Sequence, residues 1–233
     1  MPPFPWPSSV TLREVGLRDG LQSIARVLPT AQKLAWIRGA WEAGLREMEV
    51  GSFVPARLLP QLADTAELVD AAVRLPGLTV SVLVPNLKGA ERAMDSGAHW
   101  MLLPLSISHA HSLANLRKTP DAVVEEIAAI VARRRERNAA IRLEVGLSTA
   151  FGCTLQGRVE PEEVLRLARA VLDLGVDRIG LADTVGYAVP TRGHQIDTVS
   201  LRRHLADRLP DYMIPTVITA IDEVPLTPNG KID

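Results

Sequence analysis

The stretch "LREVGLRDGLQ", residues 12–22, starts as a β-strand and then sets Arg18, Asp19 and Gly20 side by side where the strand should end. A guanidinium, a carboxylate and a glycine at one strand end form a chemical unit if the strand belongs to a fold that gathers its strand ends. The fold therefore depends on whether the pattern repeats.

It repeats from residue 10 to about residue 190. Strand-like apolar runs occur at "VTLREVGL" (10–17), "REMEVGSF" (46–53), "LTVSVLVP" (78–85), "HWMLLPLSIS" (99–108), "AIRLEVGLS" (140–148) and "DRIGLADTVG" (177–186). Helical patterns lie between them, at 30–44, 62–75, 87–97, 119–138 and 160–175. Thr119-Pro120 and Glu160-Pro161 place proline at a first helical position, and Gly44, Gly97 and Gly175 stand where helices should stop. Near-continuous apolar strands alternating with helices predict a parallel sheet covered on its faces. Short loops and a repeat of roughly 30–40 residues favour a (β/α) barrel over a doubly wound sheet. The expected fold class is α/β: an incomplete TIM (β/α) barrel of about six strands.

The composition sets limits. The chain has 233 residues, a formal net charge of -1, 47% hydrophobic and 23% charged residues. Such a balance gives no electrostatic basis for nucleic acid or an anionic membrane. The basic run "RRRER" (133–137) ends a predicted helix, where cations complement the helix dipole. The single cysteine, Cys153, rules out an internal disulfide and fits a reducing, cytoplasmic setting. "MPPFPWPSS" opens the chain as a proline-rich leader (1–9) without the basic start and apolar run of a signal peptide.

In a barrel, function collects at the C-terminal strand ends. The candidates there are Arg18, Asp19 and Gln22 after strand 1, Glu49 and Ser52 on strand 2, and Asn86 after strand 3. Strand 4 offers Ser106, Ser108 and His111, and strand 6 ends in Asp183 and Thr184. A strand-end carboxylate can ligate Mg²⁺ or Mn²⁺, and a neighbouring guanidinium can stabilise an oxyanion. The bland alternative for each is ordinary loop polarity. His109 and His111 would share a face if they lay on a strand, although a lining or structural role is the simpler reading.

"EVGLRDGLQ", "EVGSFV" (49–54), "VPNLKG" (84–89), "SISHAHSLANLRKT" (106–119), "AFGC" (150–153) and "LADTVGYAVP" (181–190) occur in order. Together they resemble the hydroxymethylglutaryl-CoA lyase family, metal-dependent enzymes on a TIM barrel. The resemblance spans residues 10–190. It implies retro-aldol cleavage of hydroxymethylglutaryl-CoA to acetyl-CoA and acetoacetate, a step of leucine degradation. It matches Arg18, Glu49 and Asp183 to catalytic positions and Asp19 to a ligand of a divalent metal, Mg²⁺ or Mn²⁺. Gln22, Ser52, Asn86, Ser106, His111 and Thr184 become substrate-lining candidates. The implied partner is an acyl-CoA, with neither nucleic acid nor membrane, and a homo-oligomer is one way to cover an open barrel. The family pattern draws further metal ligands from a His-x-His pair on strand 7 and an asparagine near strand 8, and a cysteine from a glycine-rich loop. This sequence has no match for those segments.

Residues 191–199 read as a junction. Residues 200–233 change pattern, to a short α+β segment of helix, proline-bounded strand and the turn "TPNGK". The segment resembles the end of an adenylation (AMP-binding) domain, with Lys231 at its lysine. Two other functions compete with the lyase: an inactive chimeric fragment or docking module, and an aldol-type acyl-CoA synthase related to isopropylmalate synthase. "RDGLQ" rather than "RDGEQ" favours the lyase over the synthase.

Overall fold

A computed structural model describes residues 9–188. In chain order it contains β1 (Arg13–Glu14), a π-turn (Gly16–Gly20), α1 (Thr30–Glu42), β2 (Glu47–Ser52), a 3-10 turn (Pro60–Leu62), α2 (Thr65–Ala72), β3 (Thr79–Leu83) and α3 (Leu87–Ser96). It continues with β4 (Trp100–Ser106), α4 (His109–Leu116), α5 (Pro120–Glu136), β5 (Arg142–Ser148), α6 (Pro161–Leu174) and β6 (Arg178–Leu181). The six strands form one parallel sheet in sequential order, β1 to β6. That order with intervening helices is the incomplete (β/α) barrel expected from the repeat.

Side-chain alternation shows how the sheet is layered. On β4, Met101, Leu103 and Leu105 are buried, while Trp100, Leu102 and Pro104 are half-buried. The first set faces the helices, with Val123, Ile127 and Ile130 of α5 in the same core. Each such fully buried aliphatic side chain contributes about 1.5–3 kcal/mol. The second set shares its direction with Glu144 and Gly146, its register partners on β5, and faces the barrel interior.

One contact establishes the curvature. Arg13 on β1 donates to both oxygens of Glu144 on β5, at 3.0 and 2.7 Å. In a flat sheet four interstrand steps would hold these strands roughly 19 Å apart, beyond the reach of the two side chains. The sheet therefore curls until β1 faces β5. Arg13 also donates to Glu47 at 2.7 Å, and Arg178 on β6 reaches Glu144 at 2.6 Å and Glu47 at 3.1 Å. Two cations and two carboxylates thus form an interior charged layer. Their charges cancel, so the layer is tolerated at half-burial.

The helix punctuation follows the sequence. Thr119 caps α5 by accepting from the Ala122 N–H at 3.2 Å, and Gly97 and Gly175 end α3 and α6 at φ 83° and 90°. The arginine run at the end of α5 is spent on structure. Arg133 pairs with Glu91, Arg137 with Asp95, and Arg134 with Asp177, tying α5 to α3 and to the start of β6. Among the described residues no helix is long and apolar enough to cross a membrane.

Two expectations need correction. Strand 1 is only Arg13–Glu14, because the chain turns into the π-turn at Gly16. Arg18 and Asp19 accordingly sit on that turn, just past the strand. His109 and His111 lie on α4 rather than on a strand, where residues two apart point to different faces. They form no shared ligand face.

Candidate active site

The π-turn has a local cause. The N–H groups of Arg18 and Asp19 both donate to the Val15 carbonyl, at 3.1 and 2.8 Å. At Gly16 a Cβ would meet the Trp36 ring at 2.7 Å and the Glu14 carboxylate at 2.6 Å, so a larger residue there would have to displace one of these side chains. Leu17 and Leu21 anchor the turn in the core. Arg18 is thereby directed at β2.

There it meets Glu49. Arg18 Nε donates to Glu49 Oε1 at 2.6 Å and Nη2 donates to Oε2 at 3.1 Å, a two-pronged pair. Nη1 donates to Asp19 Oδ1 at 2.8 Å. The environments differ sharply: the Glu49 side chain is 1% exposed and that of Asp19 is 67% exposed. Burial pushes the Glu49 carboxyl above its ordinary pKa, and the pull of Arg18 in the other direction does not cancel it. A guanidinium carries five N–H donors, so two remain for a substrate oxygen.

The other strand ends form a polar band. Ser106 Oγ lies 2.7 Å from His111 Nδ1, and burial pushes His111 below its usual pKa, which keeps the imidazole neutral at neutral pH. Ser108 caps α4: its Oγ accepts from the His111 N–H at 3.2 Å and donates to Gln156 Oε1 at 3.0 Å. Thr149 Oγ1 accepts from the Ser108 N–H at 3.1 Å, and the Thr149 N–H donates to Thr184 Oγ1 at 2.7 Å. One chain of hydrogen bonds thus joins the ends of β4, β5 and β6. Thr149 and Gln156 were not singled out in the sequence; neither belongs to a motif, and only the fold brings them to Ser108.

Several candidates have their polar atoms engaged elsewhere. Ser52 Oγ donates to the Leu83 carbonyl at 3.1 Å and accepts from the Val54 N–H at 3.2 Å. Asn86 Oδ1 caps α3 by accepting from the Gly89 N–H at 2.9 Å. Asp183 accepts from the N–H groups of Tyr187 and Ala188, at 2.8 and 2.9 Å, and no hydrogen bond or ion pair joins it to Arg18, Asp19 or Glu49. Gln22 is exposed beside the π-turn. Cys153 is buried in a small two-way bridge with Gly157, a structural position. Lys231 and the whole adenylation-like segment lie outside the described residues.

The donor set does not fit a complete metal site. Among the described residues no three His, Cys, Asp or Glu side chains converge. Both Glu49 oxygens are held by Arg18, leaving Asp19 as the exposed carboxylate of the cluster. A hard divalent cation takes about six oxygen ligands, so one carboxylate is a fragment of such a site.

The chain has recognisable relatives. The HMGL-like family model matches residues 9–210. Hydroxymethylglutaryl-CoA lyase of Bacillus subtilis is 31% identical over 218 residues, which cover 94% of this chain and 72% of the relative. A 3-hydroxy-3-isohexenylglutaryl-CoA/hydroxymethylglutaryl-CoA lyase of Pseudomonas aeruginosa is 34% identical over 77% of this chain and 59% of its own length. The mitochondrial lyase of Arabidopsis thaliana is matched over only 39% of its length. Most of these relatives thus extend well beyond the aligned part. The Bacillus subtilis HMG-CoA lyase structure superposes with a TM-score of 0.75 at 31% identity, covering 89% of this chain and 67% of that one. The Acinetobacter baumannii HMG-CoA lyase, solved with coenzyme A and 3-methylmalate, gives a TM-score of 0.70 at 32% identity, covering 84% and 61%. With the family model matching most of the chain and the solved lyases sharing its fold, the chain belongs to the HMGL-like family.

Proposed function

We propose that the chain supplies the enolate-stabilising part of a carbon–carbon lyase acting on a 3-hydroxyacyl-CoA, with hydroxymethylglutaryl-CoA as substrate and acetyl-CoA and acetoacetate as products. The observation that carries this reading is the Arg18–Glu49 pair at the end of the first two strands. In a retro-aldol cleavage the hydroxyl gives its proton to a base, the carbon–carbon bond breaks to leave acetoacetate, and the electron pair moves onto the thioester carbonyl as an enolate, which takes up a proton at carbon to become acetyl-CoA. A rigid cation placed at that oxygen is stronger in the transition state than in the ground state. Glu49 fixes the guanidinium plane, and its two spare N–H groups are the donors. Gln22, Ser106 and His111 are the remaining side chains suited to line the substrate, whereas Ser52, Asn86 and Thr184 shape the loops. By family resemblance, Asp19 supplies one metal contact.

A second reading is an inactive fragment or docking module. The lone metal-donor carboxylate among the described residues favours it. One assay separates the two. Purified chain with Mg²⁺ or Mn²⁺ and hydroxymethylglutaryl-CoA should release acetyl-CoA, and Arg18→Gln should abolish release without unfolding the protein. Folded chain that takes up neither metal nor substrate would leave the fragment reading standing.

A further inference from the structure

The opposite end of the barrel holds a second cavity. It measures about 500 Å³ and is lined by Thr79, Met94, His99, Trp100, Ile141 and Arg142, with short loop segments between them. These residues belong to the N-terminal ends of β3, β4 and β5 and, for Met94, to the last turn of α3, away from Arg18 and Glu49. The volume lies within the range of small-molecule sites.

Among the lining side chains, donors outnumber acceptors. His99 Nδ1 accepts from the Val80 N–H at 2.9 Å, which places the proton of the neutral ring on Nε2. That N–H, the Trp100 indole N–H and the Arg142 guanidinium have no hydrogen-bond partner among the described residues. No Asp or Glu lines the cavity.

The charge count next to it points the same way. Arg178 stacks on Trp100 at 4.1 Å from the ring centre, but its N–H groups are engaged by Glu144 and Glu47, which Arg13 also holds. Two cations match two carboxylates there. Arg142, 5.5 Å from the same ring, has no carboxylate partner among the described residues. Its contact with Trp100 orients it without neutralising it.

We infer that this floor cavity binds a small oxyanion, with Arg142 as its charge partner, His99 and Trp100 as N–H donors, and a phosphate group as the ligand chemistry. An arginine fork suits phosphate geometry. The inference stands apart from the lyase reading, since it involves none of those residues.

The test is a titration of ¹⁵N-labelled chain with inorganic phosphate at constant ionic strength, following the Trp100 indole resonance, with acetate as the carboxylate arm. The expected result is a saturable shift with phosphate, weaker with acetate, and about tenfold or more loss of affinity in Arg142→Gln. Arg18→Gln should leave it unchanged. Arg142 makes no side-chain hydrogen bond among the described residues, so the variant should keep the wild-type melting point; His99→Phe provides a second, independent loss. A shift that follows chloride equally, that survives in both floor variants, or that disappears in Arg18→Gln overturns the proposal. Acetate binding more tightly than phosphate overturns the assignment of phosphate chemistry.

Discussion

Arg18 and Glu49 face each other across the first two strand ends through two hydrogen bonds of 2.6 and 3.1 Å, one partner at the mouth and the other sealed from water. The arrangement explains why a charge is kept in the core. A buried carboxylate alone is costly, and a two-pronged arginine offsets part of that cost while losing its own freedom to turn. A pair of this kind contributes little net stability but fixes a direction.

The first prediction separates the two carboxylates that touch Arg18. Glu49→Ala leaves a guanidinium without its main partner at a half-covered site, and should lower unfolding stability by about 3 kcal/mol. Asp19→Asn should cost less than about 0.5 kcal/mol, because its side chain is 67% exposed. Urea unfolding of both variants beside the wild type measures the difference. Equal losses would show that burial does not separate the two positions.

The second concerns pH and activity. Burial raises the Glu49 pKa, so acidification protonates it earlier than an ordinary carboxylate. The neutral acid no longer holds Arg18 by charge. If the chain turns over substrate, its acid limb should lie above the ordinary carboxylate range, and Glu49→Gln should remove that limb at a lower, pH-independent rate. A limb that persists in Glu49→Gln assigns it to another group. The stability sign is opposite: a raised folded pKa stabilises the fold below the unfolded value, and that contribution fades as pH rises through the folded one.

The third uses the interior layer. Burial raises the Glu144 pKa, but Arg13 and Arg178 together outweigh it and hold the carboxyl below its ordinary value. A depressed folded pKa means stability that is present above the unfolded value, about 4.5, and lost as pH falls through the folded one. Glu144→Gln should therefore flatten the melting temperature between pH 5 and 3, roughly the window around the ordinary carboxylate value. It should also loosen β1 from β5, seen as faster amide exchange at Arg13 and Glu14. An unchanged acid slope would remove Glu144 from that transition.

The sequence showed the strands and most helices because local signals set them: apolar runs bounded by glycine and proline, and Thr119-Pro120 or Glu160-Pro161 at helix starts. It missed α4, although Ser108 followed by helix formers is a cap signal, because strand 4 was read through to Ser108. Asn86, expected to line the substrate, caps α3 instead. The Arg18–Glu49 proximity followed from gathering strand ends. The Arg13–Glu144 bond did not, because it joins residues 131 apart through curvature that no local pattern encodes. The Ser108–Thr149–Thr184 chain depends on the register of three strands, which is also nonlocal.

The fourth prediction rests on that chain. Thr149 is buried and holds φ 58°, a left-handed backbone that a β-branched residue adopts at a cost. Its hydroxyl explains why it is there: Oγ1 accepts from the buried Ser108 N–H and donates to the Ser148 carbonyl at 2.6 Å. Thr149→Val keeps the strain and the shape but leaves Ser108 without its acceptor, and should lose about 1–3 kcal/mol. Thr149→Gly also loses the hydroxyl but relieves the backbone, so it should lose less than valine does. Chemical denaturation of the two variants tests the order. If glycine is the worse variant, side-chain packing rather than the hydroxyl holds the end of β5, and the hydrogen-bonded band would no longer account for how β4 and β6 are joined at the mouth.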